Sequence, residues 1–155
     1  EKGGRGGAEE TMTVKAIPDN YHTITPYLTV EDLPRSVEFM KTVFDGVPTE
    51  SVPDAEGVVR HAEVRIGDST IMIGQARGDW KPNPGALYVY VEDTDATYQR
   101  ALAAGATSIM PPAKQFYGDV NAGVRDPSGT TWWIATHVED VSPEELERRG
   151  KESMK

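Results

Sequence analysis

His61, Glu63 and Arg65 alternate along the segment HAEVRI (61–66), and this is where the sequence comes nearest to acid–base chemistry. Side chains at i and i+2 of a strand share a face, so an imidazole and a carboxylate with this spacing can stand side by side. An imidazole with an ordinary pKa near 6.5 is the natural proton shuttle, which makes His61 the candidate acid or base and Glu63 its partner. Ala62, Val64 and Ile66 form the opposite, apolar face, so the polar face looks either to solvent or into a cleft. Arg65 and Arg125 either anchor an anion as a pair or pin turns and pair with acidic neighbours. The remaining imidazoles, His22 and His137, fall on other strands without ligand spacing, which argues against a three-histidine metal site. Trp80 sits on a proline-rich stretch and can act as lid or wall. Trp132 and Trp133 are adjacent and must face opposite ways, one into core and one outward. Asp119 and Asn121 read as residues shaping a turn after Gly118. No nucleophile elbow, phosphate loop or dinucleotide fingerprint is present.

The chain that must position these groups has 155 residues, 37% hydrophobic and 26% charged. That is enough for one ordinary core, and no apolar run approaches the length of a spanning helix. There is no cysteine, which excludes disulfides, thiolate metal sites and a cysteine nucleophile. The net charge is −9. An acidic surface repels phosphate backbones and anionic lipid, so neither nucleic acid nor membrane is expected as a partner. A cationic small ligand would be attracted. The opening stretch, residues 1–11, is rich in glycine and charge and lacks a signal peptide's apolar block. It reads as foreign to the natural chain, which would start at Met12, with residues 1–21 as a flexible tail and the cytoplasm as the expected location.

An internal repeat organises the middle of the chain. Val30-Glu31-Asp32 recurs as Val91-Glu92-Asp93, at an offset of 61. Ala62, Val64 and Arg65 recur as Ala122, Val124 and Arg125, at an offset of 60, and Thr70 and Ile73 as Thr131 and Ile134, at 61. Each copy predicts strand, helix and three strands. Strands are expected near 22–30, 48–53, 58–66 and 70–76, then near 86–92, 106–111, 115–125 and 130–137. Asp32 and Asp93 cap the helices, with Val37, Met40 and Phe44 marking the first helical stripe. Gly46 and Gly105 are expected as left-handed helix caps. The modules span 22–76 and 86–138, joined by a linker at 77–85. Ser142, Pro143 and Glu145 predict a capped helix over 142–153, suited to docking more than to chemistry. The expected fold is α+β: two βαβββ modules in a curved, mostly antiparallel eight-stranded sheet around a cleft, helices outside.

Paired βαβββ modules resemble the vicinal oxygen chelate superfamily, which includes glyoxalase I, ring-cleaving dioxygenases, and bleomycin and fosfomycin resistance proteins. The turn VRDPSGTTW (124–132) is similar to the one before that family's last strand. HAEVRI running into GDSTIM (67–72), and FYGD (116–119) running into WWIATH (132–137), look most like its PhnB-like branch. The resemblance implies four metal-ligand positions, which fall here on Thr25, Met72, Ala86 and Trp133. None is His, Asp or Glu, so no metal and no cofactor is expected. It also aims Thr25, Tyr27, Met72, Tyr88 and Trp133 into the cleft, and adds Phe116 from the PhnB-like segment. With Trp80 and Arg125 these make the candidate ligand-binding set, aromatic, apolar and hydroxyl-bearing. The implied function is metal-free binding of an aromatic or cationic small molecule. The alternative is a lyase or isomerase using His61 and Glu63, or a displaced metal site. Homodimerisation is implied too, because the family often pairs protomers across module edges.

Overall fold

The computed structural model describes residues 13–154; the stretch expected to be foreign, 1–11, and Met12 lie outside the described residues. The first module contains β1 (Tyr27–Val30), α1 (Leu33–Phe44), β2 (Val47–Pro53), β3 (Val59–Ile66) and β4 (Ser69–Gln75). The second contains β5 (Ala86–Tyr90), α2 (Thr94–Ala103), β6 (Thr107–Lys114), β7 (Asp119–Arg125) and β8 (Thr131–His137), and α3 (Pro143–Ser153) follows. The two halves repeat one topology. Sheet orders are β1-β4-β3-β2 and β5-β8-β7-β6. Tyr27 sits opposite Met72, and Tyr88 opposite Trp133, so the offset of 61 survives as strand register. In each sheet the first strand runs parallel to the last and the other pairs are antiparallel.

The local chemistry follows the sequence. The Asp32 carboxylate accepts the Arg35 amide at 3.2 Å, and Asp93 accepts the Ala96 amide at 3.0 Å. Ser142 caps α3 through the Glu145 amide at 3.2 Å. Gly105 is left-handed as expected, with φ 99°, but Gly46 is not the cap of α1. Asp45 takes that role at φ 54°, a conformation a short polar side chain tolerates. Gly46 is required for a different reason. A Cβ there would stand 2.8 Å from the Val64 side chain and 2.9 Å from the Met40 carbonyl oxygen. β1 starts at Tyr27, five residues later than expected, because Pro26 has no amide to give a ladder. β7 starts at Asp119, not near 115, because a turn at Gln115–Gly118 precedes it.

The eight strands divide into two four-stranded sheets, and the modules meet through their helices. α1 packs on α2. The Phe44 and Trp132 rings lie 4.6 Å apart, and Arg100 donates to the Val43 carbonyl at 3.3 Å. One core cluster runs through both halves, from Leu28, Met40 and Ile73 to Ala101, Val124 and Ile134. The sequence placed the helices outside a shared hollow. Instead the helices lie at the junction, because Phe44 and Trp132 are both too large and apolar to leave in water. A groove of about 610 Å³ does run between the modules. It is lined mainly by helix-side residues such as Phe44, Leu87, Val89 and Trp132. Among the described residues, no hydrogen bond or ring contact joins the helix-distal face of one sheet to that of the other.

Candidate functional site

The helix-distal face of the second module is built around Asp119, which opens β7 and is 3% exposed. Its Oδ2 accepts from the Tyr88 hydroxyl at 2.7 Å and the Tyr90 hydroxyl at 3.0 Å. Its Oδ1 meets His137 Nδ1 at 2.8 Å, and His137 Nε2 meets Asp140 at 2.7 Å. Next on the same face, Asn121 donates to the Tyr117 hydroxyl at 2.6 Å and to the Tyr88 hydroxyl at 3.3 Å. Tyr88 and Tyr90 touch edge to face with centroids 5.3 Å apart. Trp133 lies flat over β7, and only glycine permits this: a Cβ on Gly123 would come 2.4 Å from its ring. Burial alone would push the Asp119 carboxyl up, but the bonds from His137, Tyr88 and Tyr90 outweigh it and hold it below its ordinary value. Tyr88 is pushed up by burial and by Asp119, and Tyr90 chiefly by its bond to Asp119. Both phenols therefore stay protonated at neutral pH.

The matching face of the first module has a different character. Glu63, 3% exposed, sits directly opposite Glu50 on β2. The Tyr21 hydroxyl donates to Glu63, and His61 Nε2 lies 3.7 Å from its other oxygen. Hydrogen bonding to Glu63 raises the Glu50 carboxyl. Glu63 itself is pushed up by burial but pulled down further by Glu50, Tyr21 and His61. Tyr21 is raised to about 12, first by its bond to Glu63. The two carboxyls thus stand opposite each other beside an imidazole, and the His61 ring stacks on Tyr27 at 5.9 Å.

The structure thus brings His61, Glu63 and Tyr27 together on one face, and Tyr88 and Trp133 on the other. Met72 stands beside Tyr27 in register. Thr25 leaves the set, because it precedes β1 and has no strand phase. Trp80 is 73% exposed on its linker turn, where its backbone pairs with Arg77. Phe116 sits in the turn before β7, edge-on to Tyr117 at 5.3 Å. Arg125 is exposed at the end of β7, whereas Arg65 donates to the Asn20 carbonyl at 3.0 Å and so pins the incoming chain. Residues 20 and 21, counted with the tail, are held against β3 and β4, because Thr70 also bonds the Asn20 carbonyl at 2.8 Å. Trp132 is the core tryptophan, 1% exposed, and Trp133 is the outward one. Sequence reasoning missed Asp119, Asn121 and Tyr117 as site residues, and Tyr21 and Glu50. Alternation along the expected strand, 115–125, puts 119, 121 and 123 on one face and would have found the first two.

The positions aligned with the family's metal ligands do not fit a divalent ion. Met72 offers a thioether, Thr25 an off-strand hydroxyl, and Ala86 and Trp133 no donor. Among the described residues, no group of three His, Cys, Asp or Glu side chains could hold a metal.

The Asp119–His137 pair carries a pH signature. Bonds to Asp119 and Asp140 raise His137. Its contribution to stability is therefore complete below the ordinary histidine pKa and lost as pH rises through the raised value. Asp119, lowered, contributes above the ordinary aspartate pKa and loses that as pH falls. Denaturation midpoints should accordingly drop from pH 6 to pH 9, and His137→Gln should flatten that slope. An unchanged slope in the variant would show that the pair contributes nothing.

Among the described residues no helix is long and apolar enough to cross a membrane. The family model for the Glyoxalase/Bleomycin resistance protein/Dioxygenase superfamily matches residues 21–134. An uncharacterised protein of Mycobacterium tuberculosis is 32% identical over 149 residues, covering 89% of this chain and 85% of its own. The crystal structure of TioX from Micromonospora sp. ML1 superposes with a TM-score of 0.64 at 26% identity, over 74% of this chain and 98% of that one. A PhnB protein of Bacillus cereus gives a TM-score of 0.61 at 19% identity, over 74% and 99%, a likeness of fold. With repeat, topology and sequence in agreement, the chain belongs to the glyoxalase/bleomycin resistance protein/dioxygenase superfamily.

Proposed function

We propose that this protein binds an aromatic or cationic small molecule without a metal, in the manner of the family's resistance-type binders, on the helix-distal faces of its modules. The observation that carries this reading is the second module's face. Its rings are outward and fixed by a buried carboxylate, while the aligned ligand positions hold Ala86 and Trp133. Rings held this way lose little freedom on binding, which is what a stacking site needs. Because no hydrogen bond or ring contact joins the two faces among the described residues, a cleft with both needs a second copy, and we propose a homodimer. The free edges differ in a way that supports this. Thr29 of β1 exchanges both backbone bonds with Asn83, at 3.1 and 2.8 Å, whereas its repeat partner Tyr90 on β5 has no such neighbour among the described residues.

A thermal-shift screen of aromatic and cationic molecules tests binding. A true ligand at a hundredfold excess over Kd adds about 2.7 kcal/mol of stability. No shift with any of them would end the proposal. Light scattering tests the assembly, and a monomer at micromolar concentration would remove the shared cleft. A second reading rests on the His61–Glu63–Glu50 cluster, where a buried carboxylate and an imidazole suit a lyase or isomerase step. Turnover abolished by His61→Ala would favour it, and turnover abolished by a chelator would favour a displaced metal.

A further inference from the structure

We propose that the second module's aromatic face selects a quaternary ammonium group, a small organic cation whose nitrogen bears no hydrogen. This deepens the small-molecule reading above and rests on it.

Three features of the face converge on that chemistry. First, the charge is present but its hydrogen-bonding capacity is already used. Asp119 accepts from Tyr88, Tyr90 and His137, and both nitrogens of His137 are taken, by Asp119 and Asp140. At Asp119 a primary ammonium or guanidinium would find both carboxylate oxygens already bonded and would forfeit hydration to enter, and the one open oxygen is on the exposed Asp140, where such a group keeps its water. A quaternary ammonium donates no hydrogen bonds and asks only for negative potential and contact surface.

Second, the rings present that potential. Tyr88 and Tyr90 meet edge to face, and Tyr90 is 63% exposed. Both phenols donate to a carboxylate, which pushes electron density back into the rings and strengthens attraction for a cation over their faces. Third, the field has the right sign. Two carboxylates flank His137, so the trio stays negative even when the imidazole is charged, and the whole chain carries −9. Attraction of a cation over aromatic faces grows with each ring and with desolvation, so these two rings give measurable discrimination.

The full chain is titrated by calorimetry with choline, with its neutral isostere 3,3-dimethyl-1-butanol, with ethanolamine and with indole. Choline is expected to bind at least tenfold more tightly than either the isostere or ethanolamine. Tyr90→Leu should weaken choline at least fivefold, and Tyr90→Phe, which loses the same bond to Asp119 but keeps the ring, should weaken it less. Asp119→Asn should erase the preference over the isostere. Equal affinity for choline and the isostere, or a Tyr90→Leu variant that binds choline as the parent does, overturns the inference. If indole binds in a Tyr90-dependent way and choline does not, the cation selectivity falls and the small-molecule reading stands. If neither binds, both fall.

Discussion

An Asp126→Ala variant is expected to unfold at a free energy about 2–4 kcal/mol below the parent's, lowering its thermal midpoint by roughly 5–15 °C. Asp126 is 4% exposed in the turn between β7 and β8. Oδ1 accepts the Ser128 amide at 2.8 Å and the Thr130 amide at 3.1 Å, and Oδ2 accepts Trp132 Nε1 at 2.9 Å. Burial pushes this carboxyl up against the pull of those bonds, so its own desolvation offsets part of what it contributes. Alanine removes the acceptor and leaves three N–H groups behind. The indole and the Thr130 amide are buried, and a buried donor without a partner costs about 1–3 kcal/mol. The damage also travels, since the Trp132 ring is the second module's contact with Phe44. Asp126→Asn keeps an oxygen for the turn amides but can turn its own N–H toward the indole, so it should fall between parent and alanine. Urea denaturation of the three proteins checks the order. A loss below about 0.5 kcal/mol for alanine would mean that water replaces the carboxylate freely.

The fold was legible because duplication leaves two readings of one pattern. Asp32 and Asp93 begin helices by the same hydrogen bond, and Tyr27 and Tyr88 face Met72 and Trp133 in the same register. Such features are local, and local chemistry is written in short stretches of sequence. The candidate site was legible only where alternation alone decides it, as for His61, Glu63, Tyr88 and Trp133. Asp119 was taken for a turn residue because the partners that define it, Tyr88 and Tyr90, are 31 and 29 residues away. Glu50 gained its role from register across a hairpin, and Tyr21 from a chain entry pinned by Arg65 and Thr70. The side on which the modules meet was not legible either. Phe44 and Trp132 read equally well as the cores of two separate modules, and only their contact shows that the helices lie at the junction.

Gly118→Ala should cost about 2–4 kcal/mol and at the same time loosen the aromatic face, whereas Gly78→Ala should cost no more than about 1–2 kcal/mol. Both glycines have positive φ, 101° and 54°. They differ in their surroundings. A Cβ on Gly78 would meet nothing within 4 Å, but one on Gly118 would stand 2.1 Å from the Glu139 carbonyl oxygen. That neighbour is backbone and cannot rotate away. The Gly118 carbonyl also accepts the amides of Val138 at 2.9 Å and Glu139 at 3.1 Å, so the turn and the chain leaving β8 are locked face to face. α3 closes the arrangement from outside. Arg149 donates to the Phe116 carbonyl at 3.2 Å, to Glu139 at 2.7 Å and to Glu145 at 2.9 Å. Prying the turn from Glu139 therefore frees Phe116 and Tyr117, and with them the Tyr117–Asn121 bond that steadies Tyr88. Thermal melts of the two variants compare the costs. Ligand titration of Gly118→Ala, below its midpoint, asks whether the rim matters: binding unchanged in a folded variant would confine Phe116 and Tyr117 to holding α3 in place.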